Sequence, residues 1–186
     1  MYRTLLNRTL LSSASVAALF ILAGCTESLP PTATQATSAT AGKNYLLEQE
    51  PDGAQEVTAV RNEAEDQQDV VVVGRIGGRE NPWVQNSAAF SIVDRSLKAC
   101  NEIHGDGCTT PWDYCCEPNL PKSTLLVMIH DKEGKLVKND ARSLLGVKEL
   151  DTVVVQGKAK RDEAGNVTLL ATKIYVSPDD KGEASQ

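Results

Sequence analysis

The chain has 186 residues, 24% of them charged and 4% aromatic, with a formal net charge of −6. That length allows one domain with a real core beside short appendages. The acidic balance disfavours nonspecific binding to a phosphate backbone. Five cysteines make the redox compartment the first question.

The N-terminus reads as a secretory signal. Arg3 and Arg8 are its basic end, no charge occurs from Leu10 to Gly24, and Val16 to Leu22 is continuously apolar. The run is too short for a membrane span of about 20 apolar residues but suits a signal h-region. It ends in Leu22-Ala23-Gly24-Cys25. On these residues the segment resembles a bacterial lipoprotein precursor, whose lipobox is a Leu, two small residues and Cys. The resemblance implies a signal peptide over 1–24, cleavage before Cys25, acylation of Cys25 and a membrane anchor of more than one acyl chain. Thr26, rather than Asp, follows Cys25, which in that family implies the outer membrane rather than the inner. Without Arg3 and Arg8 the mature chain keeps 17 basic against 25 acidic residues, a net of −8.

Residues 25–44 read as a tether. Thr, Ala, Ser and Pro dominate, with too little hydrophobic periodicity to offset the entropy of ordering. Such a linker spans on the order of 25 Å. A single domain is expected over 45–178 and a polar, frayed tail over 179–186.

Ala54 to Ala64 predicts a short helix starting near Asp52-Gly53, with Val57, Val60 and Ala64 at helical spacing. Val70 to Val73 predicts a buried strand. Gly74, Gly77 and Gly78 follow, but no Lys-Ser or Lys-Thr comes after them and Asn81-Pro82 blocks a helix, so a bulge or bend is expected rather than a phosphate loop. Ala88 to Asp94 and Thr124 to His130 predict the second and third strands, with Phe90 and Ile92 on one face. Asn139 is the expected N-cap of a helix carrying Leu144, Val147 and Leu150. Thr152 to Lys160 and Val167 to Val176 predict two more strands, joined by the turn Asp162 to Asn166.

The fold class is therefore mainly β, with five strands, an N-terminal helix and a helix between strands 3 and 4. On VVVVGRIGG (70–78), AAFSIVD (88–94), TLLVMIHD (124–131) and the closing strand-turn-strand (153–176), the chain resembles bacterial OB-fold domains of the anticodon-binding-like kind. That resemblance implies a five-stranded Greek-key barrel. It departs from the pattern twice. The strands lack basic-aromatic interleaving, so nucleic acid is not the expected partner. The connection 95–123 is far longer than the usual hairpin.

That connection holds Cys100, Cys108, Cys115 and Cys116, with His104, Trp112, Asp113 and Tyr114 among them. Long loops in compact domains are functional or stapled. In an oxidising compartment four cysteines fit two disulfides. A Cys115–Cys116 bridge would strain a very small ring, so each is expected to pair back to Cys100 or Cys108. Each closure would add about 2–3 kcal/mol. The alternative is a zinc or copper site using these thiolates with His104, although the spacing is not that of paired C-x-x-C ligands. A third reading is thiol redox chemistry at the vicinal pair. Trp83, Trp112, Tyr114 and Asp113 are candidates for a partner surface, against a purely packing role for the aromatics. The resulting expectation is a membrane-anchored, extracytoplasmic binding module, not an enzyme, without a cofactor. An envelope protein or small ligand would be its partner. A metal-binding or thiol-redox protein is the competing class.

Overall fold

The computed structural model describes residues 41–105 and 107–178. The signal segment, Cys25, most of the tether and the tail 179–186 lie outside the described residues.

Six strands form one sheet. β1 (Gln55–Glu56) is a two-residue parallel partner of β2 (Asp69–Ile76). β2 is followed by β3 (Ala89–Val93), β4 (Thr124–Ile129), β5 (Thr152–Arg161) and β6 (Val167–Val176). The order is β2-β3-β4-β6-β5, and β5 returns to β2 over Asp69–Arg75. β4 and β6 are parallel, whereas the other barrel neighbours are antiparallel. Five strands closed in this order, with one parallel pair, form an OB-like barrel.

Alternation explains the closure. Along β4, Leu125, Val127 and Ile129 are buried while Thr124, Leu126 and Met128 are only half-buried. The inward set joins Phe90, Ile92, Val72, Val155 and Leu169 in one core. The run Val70–Val73 extends to Ile76 because Gly74 fits a close approach. A Cβ at Gly74 would lie 3.0 Å from the Val93 carbonyl oxygen. The expected bulge is not in β2, whose ladder with β5 is unbroken from Asp69 to Arg75. The register shift falls at Gln156/Gly157 against β6. There a Cβ on Gly157 would meet the Leu170 carbonyl oxygen at 2.2 Å.

The first helix is shorter than its periodicity implies. α1 is Val57–Glu63, because Gln55 and Glu56 are taken into β1. Its N-cap residue Glu56 gives no side-chain cap, and its carboxylate accepts from Arg95. Instead Asp94, just after β3, accepts the Thr58 N–H at 2.7 Å. At the other end, Arg161 Nη2 donates to the Arg61 and Ala64 carbonyls, each at 2.8 Å. α2 (Ala141–Leu145) begins one residue later than expected. Asp140, not Asn139, is the N-cap and accepts the Arg142 and Ser143 N–H groups. The helix ends at Gly146 with φ 70°, the left-handed conformation that glycine favours.

Candidate functional site

The long connection between β3 and β4 packs against the outside of the barrel. Val93 and Ala99 are buried with Tyr114 in a second, smaller core, to which Leu97, Leu120 and Leu150 add. Polar fastenings hold the rest. The Gly78 N–H donates to the Trp112 carbonyl at 3.2 Å, the Cys100 N–H to the Asp113 carbonyl at 2.8 Å, and the Asn101 N–H to the Pro111 carbonyl at 3.1 Å. Gly77 provides the seat: a Cβ there would stand 2.6 Å from the Trp112 carbonyl oxygen. Gly77 and Gly78 thus serve loop docking, which spacing alone did not reveal.

Glu102 reads in the sequence only as one of the loop's carboxylates, yet it joins loop to barrel. Its carboxylate accepts the Ala99 N–H at 2.8 Å and pairs with Arg75 of β2 at 2.8 Å. Arg75 also lies beside the Tyr114 hydroxyl. Burial pulls its pKa down, but Tyr114 and Glu102 outweigh this and leave it raised. Burial raises the Tyr114 pKa against the opposing charge of Arg75.

The expected partner-surface residues divide. Tyr114 is 1% exposed and forms the middle of the smaller core, so it faces the barrel rather than a partner. Asp113 uses its carboxylate locally, accepting the Tyr114 N–H at 2.7 Å. Trp112 is half-buried and donates its indole N–H to the Glu80 carbonyl at 2.9 Å. Trp83 belongs to the main core, tilted against Phe90 at 5.7 Å between ring centroids. Its indole N–H donates to Glu149 at 2.6 Å and the Arg142 guanidinium lies over its ring.

Three of the four loop cysteines converge. The sulfurs of Cys100, Cys108 and Cys115 all lie within 4.8 Å of one another. Cys115 Sγ is 3.6 Å from Cys100 Sγ, 3.9 Å from Cys108 Sγ and 3.9 Å from Cys116 Sγ. None of these separations is the roughly 2.05 Å of a disulfide. His104 is exposed and stands outside the three-sulfur set. Cys100 is buried, Cys108 half-buried, and Cys115 and Cys116 exposed. The Cys108 pKa is lowered, first by the Thr110 backbone and then by Cys100. At Cys115 the Cys100 contact lowers the pKa, but Cys108 and Cys116 outweigh it and leave the thiol raised.

A groove of about 590 Å³ crosses the β3–β4 face. Trp83 and Val84 from the β2–β3 connection line one part, Leu120 and Pro121 from the end of the Cys-rich loop another, and Asn166 and Thr168 at the start of β6 a third. Ser91 and Leu126 lie in its floor, and its two charged lining residues are Arg61 and Arg79. Val84 is the large hydrophobic side chain most exposed among the described residues, at 42%. The Arg61 guanidinium donates to the Thr124 carbonyl at 2.7 Å, and burial, then Arg161, lowers its pKa.

No protein-family model and no curated protein matches the chain. Among solved structures, it is similar to the hypothetical protein YgiW from E. coli, with 18% identity over 68% of this chain and 94% of that one, at a TM-score of 0.37. It is also similar to a small single-stranded DNA-binding protein from Streptomyces coelicolor, with 15% identity, 62% and 98% coverage and a TM-score of 0.34. A third is an aspartyl tRNA synthetase from Entamoeba histolytica, with 10% identity over 72% of this chain and 25% of that chain, at a TM-score of 0.41.

Proposed function

We propose that the chain is a lipid-anchored, extracytoplasmic binding module without catalytic activity, whose partner is an envelope protein presenting an acidic segment to the β3–β4 groove. The single observation carrying this reading is the groove itself. It lies across the strand face and between the connecting loops that OB-folds use for ligands, and its floor and walls combine Trp83, Val84 and Leu120 with Arg61 and Arg79. Apolar walls with a few placed polar groups suit specific binding. Two arginines as the groove's charged lining favour carboxylates, while the chain's net charge of −6 opposes a long phosphate polymer. The lipobox sequence supports the anchor, and the tether supplies reach from the membrane.

The test places a photo-crosslinking residue at Ser91, and a control at exposed Glu163, in the full chain in its own cells. A discrete protein adduct from Ser91, absent from Glu163 and lost in Arg79→Glu, is expected. Binding of a single-stranded oligonucleotide at physiological salt that Arg79→Glu abolishes, with no protein adduct, would replace the protein partner with nucleic acid.

A further inference from the structure

We infer that Cys100, Cys108 and Cys115 form a binding site for one soft, thiophilic metal ion, Zn²⁺ or Cu⁺. The spacing of the sulfurs carries the inference. Metal–sulfur bonds of about 2.3 Å separate the ligands by about 3.8 Å in a tetrahedron and about 4.0 Å in a trigonal plane. The two contacts of Cys115 within the set, 3.6 and 3.9 Å, match that separation. Two disulfides would instead require the four sulfurs to divide into exclusive pairs. Here Cys115 lies within 3.9 Å of both Cys100 and Cys108, and all three sulfurs lie within 4.8 Å of one another, so they form a triangle rather than one couple and a remainder.

The loop backbone holds the set in place. Cys100 opens a 3₁₀ turn whose N-terminal Ala99 is bound by the Glu102 carboxylate. The Cys100 N–H to the Asp113 carbonyl ties that turn to the segment carrying Cys115. Tyr114, packed in the smaller core, fixes the residue before Cys115. The burial gradient from Cys100 to Cys115 leaves an approach from solvent to a partly preformed site. Both candidate ions prefer sulfur, and they differ in coordination number. Three thiolates complete a trigonal Cu⁺ site, whereas Zn²⁺ takes a fourth donor. Binding moves no electrons: each thiol becomes a thiolate on the metal and its proton passes to buffer, up to three protons per ion. Affinity therefore rises with pH.

The full chain, reduced and stripped of metal, would be titrated without oxygen in two arms. Zn²⁺ competes with a chromogenic chelator in one, and Cu⁺ with bicinchoninate in the other. One equivalent per chain in at least one arm is expected, with thiolate-to-metal charge-transfer absorption when Co²⁺ replaces Zn²⁺. Cys115→Ser, at an exposed position, keeps the far-ultraviolet circular dichroism spectrum and loses stoichiometric binding. Cys116→Ser retains it. Three results would overturn the inference: no binding in either arm, binding that survives Cys115→Ser or is lost in Cys116→Ser, or protein alkylated directly in its cells that carries two disulfides.

Discussion

The barrel and the Cys-rich loop are built on different principles. In the barrel, alternation along five strands puts Leu125, Val127, Phe90, Val155 and their neighbours into one core, and every strand pairs on both edges. The loop is held by a small cluster and a few point contacts: Ala99 and Tyr114 against Val93 at the end of β3, the Gly77 seat, and the Glu102 carboxylate. A distributed core is lost as a unit, whereas a fastened loop opens locally at much lower free energy. The two candidate sites inherit this difference. The groove has a floor of barrel strands, while the sulfur set depends on a region that opens by itself.

The largest effect expected from this contrast is at Phe90, which is fully buried in the main core. Phe90→Ala costs about 3–5 kcal/mol through a cavity and lowers the urea midpoint of the whole domain. Gly77→Val attacks the loop instead, since its Cβ would stand 2.6 Å from the Trp112 carbonyl oxygen. Its cost is about 1–3 kcal/mol of overpacking. Hydrogen exchange then accelerates over residues 98–122 with the β4–β6 amides still protected. Loss of protection throughout the barrel in Gly77→Val would show that the two regions fold as one unit.

The sequence disclosed these regions unequally for a physical reason. Strands declare themselves by alternation and length, so β4 and β6 stand within one residue of their expected bounds. Helices capped from afar do not. α1 is shortened by β1 and capped by Asp94, 36 residues beyond Thr58, and no local signal marks that pairing. The loop was legible as a cysteine cluster but not as a structure. Which cysteines meet depends on Gly77, Glu102 and Tyr114 bringing distant segments together, and His104 shares the segment without joining the three sulfurs. Tyr114 reads as surface in a polar stretch because nothing local shows the Val93 side chain that covers it.

A smaller effect tests the junction between the regions. Asp94 is 2% exposed, and its two oxygens accept the Thr58 N–H and the Ser96 N–H and hydroxyl. Burial raises its pKa, but the hydrogen bonds from Ser96 and Thr58 outweigh this and leave it below 3.8. A depressed folded pKa gives stability that is fully present above the unfolded value and lost as pH falls through the folded one. Asp94→Asn turns one acceptor into a donor facing another donor and should cost about 1–2 kcal/mol at pH 7. Urea melts of the two proteins should converge below pH 3.8. A gap of constant size across that range would mean that Asp94 acts through shape rather than charge.

The smallest effect is the most discriminating for the loop. Tyr114 is the largest fully buried side chain among the described residues, and its hydroxyl is buried beside the Arg75 guanidinium without a hydrogen bond of good geometry. An unsatisfied buried hydroxyl is a cost that packing of the ring must exceed. Tyr114→Phe removes that hydroxyl and keeps the ring against Val93 and Ala99. The change should be neutral or stabilising by up to about 1 kcal/mol, read as slower hydrogen exchange across 98–122 with the urea midpoint nearly unmoved. If the Arg75 guanidinium beside the hydroxyl binds it in solution, the same substitution instead speeds exchange in the loop. The smaller core would then be held by an ionic network through Arg75 and Glu102 rather than by packing. That would make the loop's stability, unlike the barrel's, fall as salt is added.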